Sequence, residues 1–125
     1  VAIMAAAPAD YKVKNAFSQK VKSDTLTLEL VKNPDIAKTL GEKKDERKLV
    51  VFSAETENLI ENAKGKLKKK HADLVVANDV TVDGAGFDVD TNVATIIDND
   101  GNEFESGKVS KRELADVILD KVIAL

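Results

Sequence analysis

Two short runs of apolar residues constrain the fold more than any other feature of this sequence. Residues 49–53 read LVVFS and residues 74–78 read LVVAN. Continuous apolar runs of this kind are typical of strands that are covered on both faces. Between them, residues 55–71 carry apolar side chains on one stripe at helical spacing, which predicts an amphipathic helix. A strand, a helix and a second strand in this order predict a parallel β-α-β unit.

The other patterned segments extend this unit toward both ends of the chain. We predict further strands at 1–6, 26–30 and 93–97 and further helices at 34–42 and 110–124. Because strands and helices alternate from residue 26 to residue 80, we expect a second parallel unit there. The run LTLEL (26–30) alternates in polarity, so we expect this strand to be half exposed.

The carboxyl-terminal third of the sequence contains two local signals. Residues 93–105 (VATIIDNDGNEFE) predict a hairpin that turns at Asp100 and Gly101. Ser110 and Glu113 have the spacing of a capping box, which predicts the start of the last helix.

These patterns together define the predicted fold class. We expect one α/β domain over residues 1–125, with a three-layer, Rossmann-like arrangement and a mostly parallel sheet carrying a small antiparallel addition. Residues 11–25 are polar and weakly patterned, and we predict a mobile flap there. The opening VAIMAAA resembles a buried strand and lacks the basic flank of a signal peptide. We therefore expect the domain to be truncated at its amino end.

The composition excludes several classes of function. The chain has no cysteine, which excludes disulfides, thiolate metal sites and a cysteine nucleophile, and which suits a reducing, cytoplasmic compartment. The net charge of −3 does not suggest a nucleic acid partner. No apolar run approaches the roughly 20 residues that cross a bilayer, so we expect no membrane partner. Lysines nevertheless crowd residues 64–70, and a local basic patch can bind a small anion.

The triplet Asn33-Pro34-Asp35 has two interpretations. Asparagine is a good N-cap, proline suits the first helical position and an acid suits the first turn, so helix capping explains the triplet completely. A helix start that follows a parallel strand also lies at the carboxyl edge of the sheet, where ligands of open α/β sheets bind. The free N–H groups at such a start can hold anions.

The lysine run likewise has a structural and a functional interpretation. Cations near a helix carboxyl terminus are stabilised by the helix dipole and need no ligand. Lys66 and Lys70 are four residues apart, however, so they share a face and can bridge a polyphosphate. His71 follows at once, and without a second ligand at suitable spacing we predict that it ends the helix. Asp10 follows the first strand and is, alone, a weak signal of the ligand edge.

Two motif matches are rejected. Gly84 and Gly86 form a G-x-G that lacks the third glycine of the dinucleotide fingerprint and does not lie between a strand and its helix. The stretch DNDGNEFE resembles a calcium loop, but the alignment places Ile96 where an acid is required.

Several segments occur together in the order that is typical of one family. They are AAAPADY (5–11), QKVK (19–22), LTLELVKNPDI (26–36), VVFSAETENL (50–59), AKGKLKKK (63–70), DLVVANDV (73–80), GAGFDVDTN (84–92) and SKRELADVILDKV (110–122). The sequence resembles, over essentially all 125 residues, the carboxyl-terminal part of bacterial phosphopantothenoylcysteine synthetase (phosphopantothenate–cysteine ligase). In many bacteria that domain is fused behind a flavin-dependent decarboxylase.

The resemblance implies a reaction in coenzyme A biosynthesis. The carboxylate of 4′-phosphopantothenate attacks the α-phosphorus of CTP, which gives an acyl-cytidylate, and the amine of L-cysteine then displaces CMP. Charge builds on phosphate oxygens in both steps, so cations, amide donors and Mg²⁺ are expected to stabilise it. FMN is expected only if a decarboxylase domain is fused upstream. The family also implies a homodimer, to which LTLEL contributes.

The resemblance assigns roles to particular positions. Lys20 matches the flap lysine that is needed for formation of the acyl-cytidylate. The positions that match the family's nucleotide-binding residues are Asp10, Asn33, Pro34, Asp35, Ile36, Phe52, Lys66 and Lys70. No metal ligand is assigned.

Two departures from the family pattern affect what we expect. Pro8 stands where family members usually have valine, which affects the turn after the first strand. The family's amino-terminal segment, with its phosphate loop, an asparagine and a Ser-Ser-Gly-Lys turn, is not in these residues. We therefore expect much of a nucleotide subsite but not full ligase activity from the 125 residues alone.

Two other classes of function remain open from the sequence. One is a nucleotide-binding or dimerisation module without catalysis. The other, general nucleic acid binding through the lysine run, is weakly supported because there is one basic helix turn, no interleaved aromatic residue and an acidic net charge.

Overall fold

The computed structural model of the protein describes residues 1–82 and 89–125. In chain order its strands are β1 (Ala2–Met4), β2 (Tyr11–Val13), β3 (Leu30–Lys32), β4 (Leu49–Glu55), β5 (Leu74–Asp79), β6 (Thr91–Asp98) and β7 (Glu103–Ser110). Its helices are α1 (Ile36–Glu42), α2 (Leu59–Lys70) and α3 (Lys111–Ile123). The rejected G-x-G match at 84–86 lies outside the described residues.

The main sheet is mixed and has the strand order β1-β4-β5-β6-β7. Neighbouring strands β1, β4 and β5 are parallel, with Ile3 opposite Val50 and Val50 opposite Leu74. Strands β6 and β7 are added in antiparallel pairings. The predicted parallel unit β4-α2-β5 is therefore confirmed, and so is the antiparallel addition.

Both faces of the sheet are covered, which explains the continuous apolar runs. On one face, Leu49, Val51 and Val75 pack with Ala63 and Leu67 of α2, and Ala37 of α1 lies against the same cluster. The opposite face packs against α3 through a second cluster: Val50, Leu74, Val76, Ala94, Ile96, Leu114 and Ile118. This alternation along each strand gives the predicted three-layer, Rossmann-like α/β fold.

The local signals in the carboxyl-terminal third are confirmed. Strands β6 and β7 form the predicted hairpin, in which Gly101 adopts a φ of 84° that glycine accommodates without strain. The Ser110 hydroxyl accepts a hydrogen bond from the Glu113 N–H at 3.1 Å. The Glu113 carboxylate accepts one in return from the Ser110 N–H at 2.9 Å, which completes the capping box.

The predicted strand 26–30 is wrong, and with it the parallel unit that began there. Only Leu30 of this segment is in a strand, and β3 pairs with β2 in a separate antiparallel ribbon, with Lys12 opposite Val31. Leu26 and Leu28 are exposed, so the alternating pattern does not mark a face buried against the main sheet. The ribbon and α1 instead lie within the connection between β1 and β4.

Two other predicted elements are longer than the elements in the structure. The first strand is confined to Ala2–Met4, and the residues after it form the loop that leads to β2. Helix α2 begins at Leu59 and not at 55, because β4 continues through Glu55 and Asn58 takes a left-handed conformation at the N-cap. His71 ends this helix as predicted, with a φ of 50° and its N–H bonded to the Lys68 carbonyl at 3.2 Å.

Helix α1 reaches the carboxyl-terminal end of α2 through a close contact at Gly41. A Cβ atom placed on Gly41 would collide with the carbonyl oxygen of Lys70 and would lie 2.9 Å from its carbonyl carbon. Only glycine therefore allows this approach of the two backbones.

In residues 1–82 and 89–125, no helix has both the length and the apolar character that a bilayer span requires.

Candidate functional site

A cavity of about 460 Å³ opens at the carboxyl end of β1. Its walls come from the loop after β1, the turn between β3 and α1, Val51 and Phe52 of β4, and the last turns of α2. Carboxyl ends of parallel strands are the usual ligand edge of an open α/β sheet, so the cavity lies where this fold binds ligands.

Eight of the nine site residues predicted from the sequence line this one cavity. They are Asp10, Asn33, Pro34, Asp35, Ile36, Phe52, Lys66 and Lys70. These residues come from positions as far apart as 10 and 70, and the fold brings them together. Their roles in binding remain predictions.

Lys20 does not belong to the set of residues that line the cavity. It is exposed and lies in the segment 14–29, which has no regular secondary structure. The predicted catalytic role of Lys20 and the predicted mobility of residues 11–25 therefore stay predictions.

The turn before α1 differs from the predicted cap. The N-cap is Asp35, not Asn33, because the Asp35 carboxylate accepts a hydrogen bond from the Lys38 N–H at 3.0 Å and the helix begins at Ile36. Pro34 accordingly precedes the helix instead of occupying its first position. Asn33 holds the loop after β1: its side-chain amide donates to the Ala9 carbonyl at 2.8 Å.

Asp35 also forms an ion pair with Lys70 at the floor of the cavity. One carboxylate oxygen caps α1, and the other accepts a hydrogen bond from the Lys70 ammonium. The hydrogen bond from Lys70 is the main reason that the pKa of Asp35 is lowered, and the Lys38 N–H lowers it further. Asp35 is therefore ionised at neutral pH and fixes both the start of α1 and the position of the Lys70 side chain.

Lys66 is held by a second acid, Glu55, at the end of β4. The Lys66 ammonium lies 2.8 Å from the Glu55 carboxylate and donates to the buried Ser53 hydroxyl at 2.7 Å. Ser53 in turn donates to Glu55, and the Asn62 amide donates to the other Glu55 oxygen at 3.1 Å. Burial alone raises the pKa of Glu55, but the hydrogen bonds from Lys66, Ser53 and Asn62 outweigh it and lower the pKa.

Sequence reasoning missed several residues of this site. Lys32 and Lys69 line the cavity, and Glu55 and Ser53 anchor Lys66 behind it. The signal for Lys69 was present, because it belongs to the same lysine run as Lys66. The pairing of Glu55 with Lys66 had no local signal, since it depends on how α2 packs on β4.

The acids near the cavity do not form a metal cluster by themselves. In the part of the chain that the structure describes, no group of three or more histidine, cysteine, aspartate or glutamate side chains is arranged to hold a metal ion. Among residues 1–82 and 89–125, the charged groups that line the cavity are four lysines and two aspartates, a composition that favours an anionic ligand.

Comparison with known proteins shows which family this chain is similar to. Residues 1–125 match the family model described as the DNA/pantothenate metabolism flavoprotein C-terminal domain. The coenzyme A biosynthesis bifunctional protein CoaBC of Bacillus subtilis (strain 168) is 45% identical over 127 residues, which cover 100% of this chain and 31% of that protein. A cysteine/cysteine sulfinic acid decarboxylase of an unknown prokaryotic organism is 38% identical over 100% of this chain and 36% of its own length.

A solved structure has the same fold. The crystal structure of the C-terminal domain of a coenzyme A biosynthesis bifunctional protein CoaBC matches with a TM-score of 0.75 and 35% sequence identity. The match covers 97% of this chain and 52% of that chain. The chain spans about a third of the length of the curated relatives it matches. The chain belongs to the family of DNA/pantothenate metabolism flavoprotein C-terminal domains.

Proposed function

We propose that this chain forms the nucleotide-binding part of an enzyme that joins 4′-phosphopantothenate to L-cysteine at the expense of CTP, in coenzyme A biosynthesis. One observation carries the proposal: the eight residues that match the family's nucleotide-binding positions surround a single cavity with excess positive charge. The similarity to coenzyme A biosynthesis bifunctional proteins supports the pathway.

The proposed chemistry explains why cations are needed at this place. A carboxylate is a poor electrophile, so one of its oxygens first bonds to the α-phosphorus of CTP and pyrophosphate leaves. The cysteine amine then bonds to the acyl carbon, CMP leaves with the carboxylate oxygen, and the amine loses a proton. Negative charge develops on phosphate oxygens in both steps, and fixed ammonium groups stabilise it.

Lys66 and Lys70 are the residues that we assign to the phosphates. The charges of Lys66 and Lys70 are balanced by Glu55 and Asp35. A phosphate that enters the cavity replaces one anionic partner by another, so each ammonium group keeps a counter-charge throughout. The turn of Asn33 and Pro34 and the backbone at Phe52 are assigned to the base, as the family resemblance implies.

Magnesium fits this site as a partner of the nucleotide. Mg²⁺ commonly binds through one or two carboxylates together with substrate phosphates, and two carboxylates, those of Asp10 and Asp35, line the cavity. When bound, the ion would neutralise part of the triphosphate charge. FMN would belong to a decarboxylase domain and not to the residues described above.

We further propose that the protein forms a homodimer through the ribbon of β2 and β3 and the segment that joins them. Four apolar side chains of this region are more than 45% exposed in the isolated chain: Tyr11, Phe17, Leu28 and Leu30. Exposed apolar side chains grouped in one segment are typical of interfaces.

The absence of cysteine and the metabolic relatives favour a cytoplasmic location.

Calorimetric titration with CTP and ATP tests the nucleotide assignment. We expect wild-type protein to bind CTP more tightly than ATP, and we expect Lys66→Ala and Lys70→Ala each to weaken CTP binding by about tenfold, the loss of one charge-assisted hydrogen bond. Lys68→Ala is the matched control, because Lys68 lies on the same helix but outside the cavity. Equal losses in all three variants, or no preference for CTP, would contradict the assignment.

One observation favours a second candidate function, a module that binds the nucleotide without catalysis. Lys20, the predicted catalytic residue, is not among the residues that line the cavity, and a module that binds the nucleotide without chemistry would need no such residue. Pyrophosphate release from CTP that requires 4′-phosphopantothenate, and that Lys20→Ala abolishes without weakening CTP binding, distinguishes the enzyme from the module.

A further inference from the structure

The four lysines of the cavity divide into two kinds. Lys66 and Lys70 are paired with acids, as described above. Lys32 of β3 and Lys69 of α2 also line the cavity. Among the residues that the structure describes, neither makes an ion pair or a side-chain hydrogen bond. The two unpaired cations are not those assigned to the nucleotide by the family resemblance.

Lys69 is nevertheless close enough to act on the site electrostatically. The pKa of Asp35 is lowered first by the hydrogen bond from Lys70, and the positive charge of Lys69 adds a smaller effect in the same direction. Lys32 precedes the turn that holds Asn33, so it approaches the cavity from a different element. A ligand in the cavity therefore meets one unpaired ammonium group from β3 and one from α2.

Pairing decides how each lysine responds to the charge of a ligand. At Lys66 and Lys70, a phosphate must displace a carboxylate, so the net electrostatic gain is the difference between two anions. At Lys32 and Lys69, a phosphate displaces only water, and the gain grows with every negative charge that the ligand brings. The unpaired lysines are thus the ones that distinguish a triphosphate from a monophosphate.

We propose that Lys32 and Lys69 determine the preference of this site for polyphosphates over monophosphates. In the proposed reaction, on which this inference rests, the preference favours entry of the nucleoside triphosphate and departure of the nucleoside monophosphate product. The residues are specificity determinants of binding and are assigned no part in bond making.

The test compares CTP, CMP and inorganic tripolyphosphate by calorimetric titration of the intact protein. We expect Lys69→Ala and Lys32→Ala each to weaken CTP and tripolyphosphate binding by up to about fivefold, the upper range for an exposed charge pair, with CMP changed by less than about twofold. Lys69→Arg keeps the charge and should restore the wild-type ratio of CMP to CTP dissociation constants.

Two matched control variants show whether a change in affinity is caused merely by a lower net charge or by loss of folding. Lys68→Ala removes the neighbouring charge on α2, and Lys12→Ala removes a charge from the other strand of the ribbon; neither residue lines the cavity. Both controls should leave the CMP to CTP ratio at its wild-type value. The losses in the test variants should shrink in high salt, because exposed charges are screened.

The outcomes separate this inference from the proposed function. If wild-type protein binds CTP but the ratio is the same in Lys69→Ala, Lys32→Ala and the controls, the inference is overturned and the proposed function stands. If CTP does not bind but tripolyphosphate binds in a Lys69-dependent manner, the inference stands and the proposed function fails. If neither ligand binds to wild-type protein, both are overturned.

Discussion

Substitution of Asp35 by alanine and by asparagine separates the two interactions that this carboxylate makes. Alanine removes both the cap of α1 and the ion pair with Lys70. Asparagine is as good an N-cap as aspartate, so it removes only the charge. The comparison therefore measures how far the start of α1 depends on the cap and how far on the contact with α2.

The structure sets the expected size of each effect. Loss of an N-cap costs about 1 kcal/mol. The ion pair joins side chains that are 34% and 21% exposed, so solvent screens it and about 0.5 kcal/mol is a realistic contribution. Asp35→Ala should then lower the free energy of unfolding by about 1.5 kcal/mol and Asp35→Asn by about 0.5 kcal/mol.

Urea denaturation at several pH values provides the assay. The folded-state pKa of Asp35 lies below the ordinary value of 3.8, so its charge stabilises the fold above pH 3.8 and this contribution is lost as the pH falls through the folded-state pKa. The difference between wild type and Asp35→Asn should therefore vanish in acid. Asp24→Asn is the control, because Asp24 is exposed and lies in the irregular segment between β2 and β3. Equal destabilisation by alanine and asparagine, or a difference that persists unchanged in acid, would refute the reasoning.

Four further substitutions, one of them a control, test the packing and capping by urea denaturation. Gly41→Ala should lower the free energy of unfolding by about 1–2 kcal/mol, because the added Cβ collides with the end of α2; Gly65→Ala, where a Cβ meets nothing within 4 Å, should instead stabilise α2 by up to about 1 kcal/mol. A loss at both glycines would contradict the steric explanation. Ser110→Ala should cost about 1 kcal/mol, since it removes the hydroxyl of the capping box, and an unchanged stability would show that α3 is held by packing alone. Lys44→Met should cost about 2 kcal/mol because it leaves the buried Asp73 carboxylate, 2.5 Å from Lys44, without its cation; an unchanged or stabilised variant would show that the Asp73 carboxylate does not depend on this cation.

The sequence was sufficient to predict the strands in which nearly every side chain is apolar, because such a pattern indicates burial on both faces. The runs at 49–53 and 74–78 are apolar on every side chain or nearly so, which is typical of strands covered on both faces. The prediction of a strand at 26–30 was wrong for a different reason. Alternating polarity indicates one apolar and one polar face, but it does not show what the apolar face packs against. Its leucines remain exposed in the single chain.

The sequence predicted those site residues that are recognised by their type and their order along the chain. It did not predict the contacts that depend on how distant segments pack together. The family resemblance assigned Lys66 and Lys70, and both line the cavity. The cap was assigned to Asn33 on local preference, yet Asn33 is used to hold the Ala9 carbonyl. That hydrogen bond joins residues 24 positions apart, so no local rule could have revealed it.

The contact between α1 and the end of α2 has a consequence for the entropy of ligand binding. Lys70 is restrained twice by the same short helix: its side chain pairs with Asp35 at the start of α1, and its carbonyl group lies against Gly41 near the end of α1. A ligand that takes over the side chain leaves the backbone contact in place. Much of the ordering that Lys70 would otherwise undergo on binding has thus occurred during folding, and this preorganisation favours affinity.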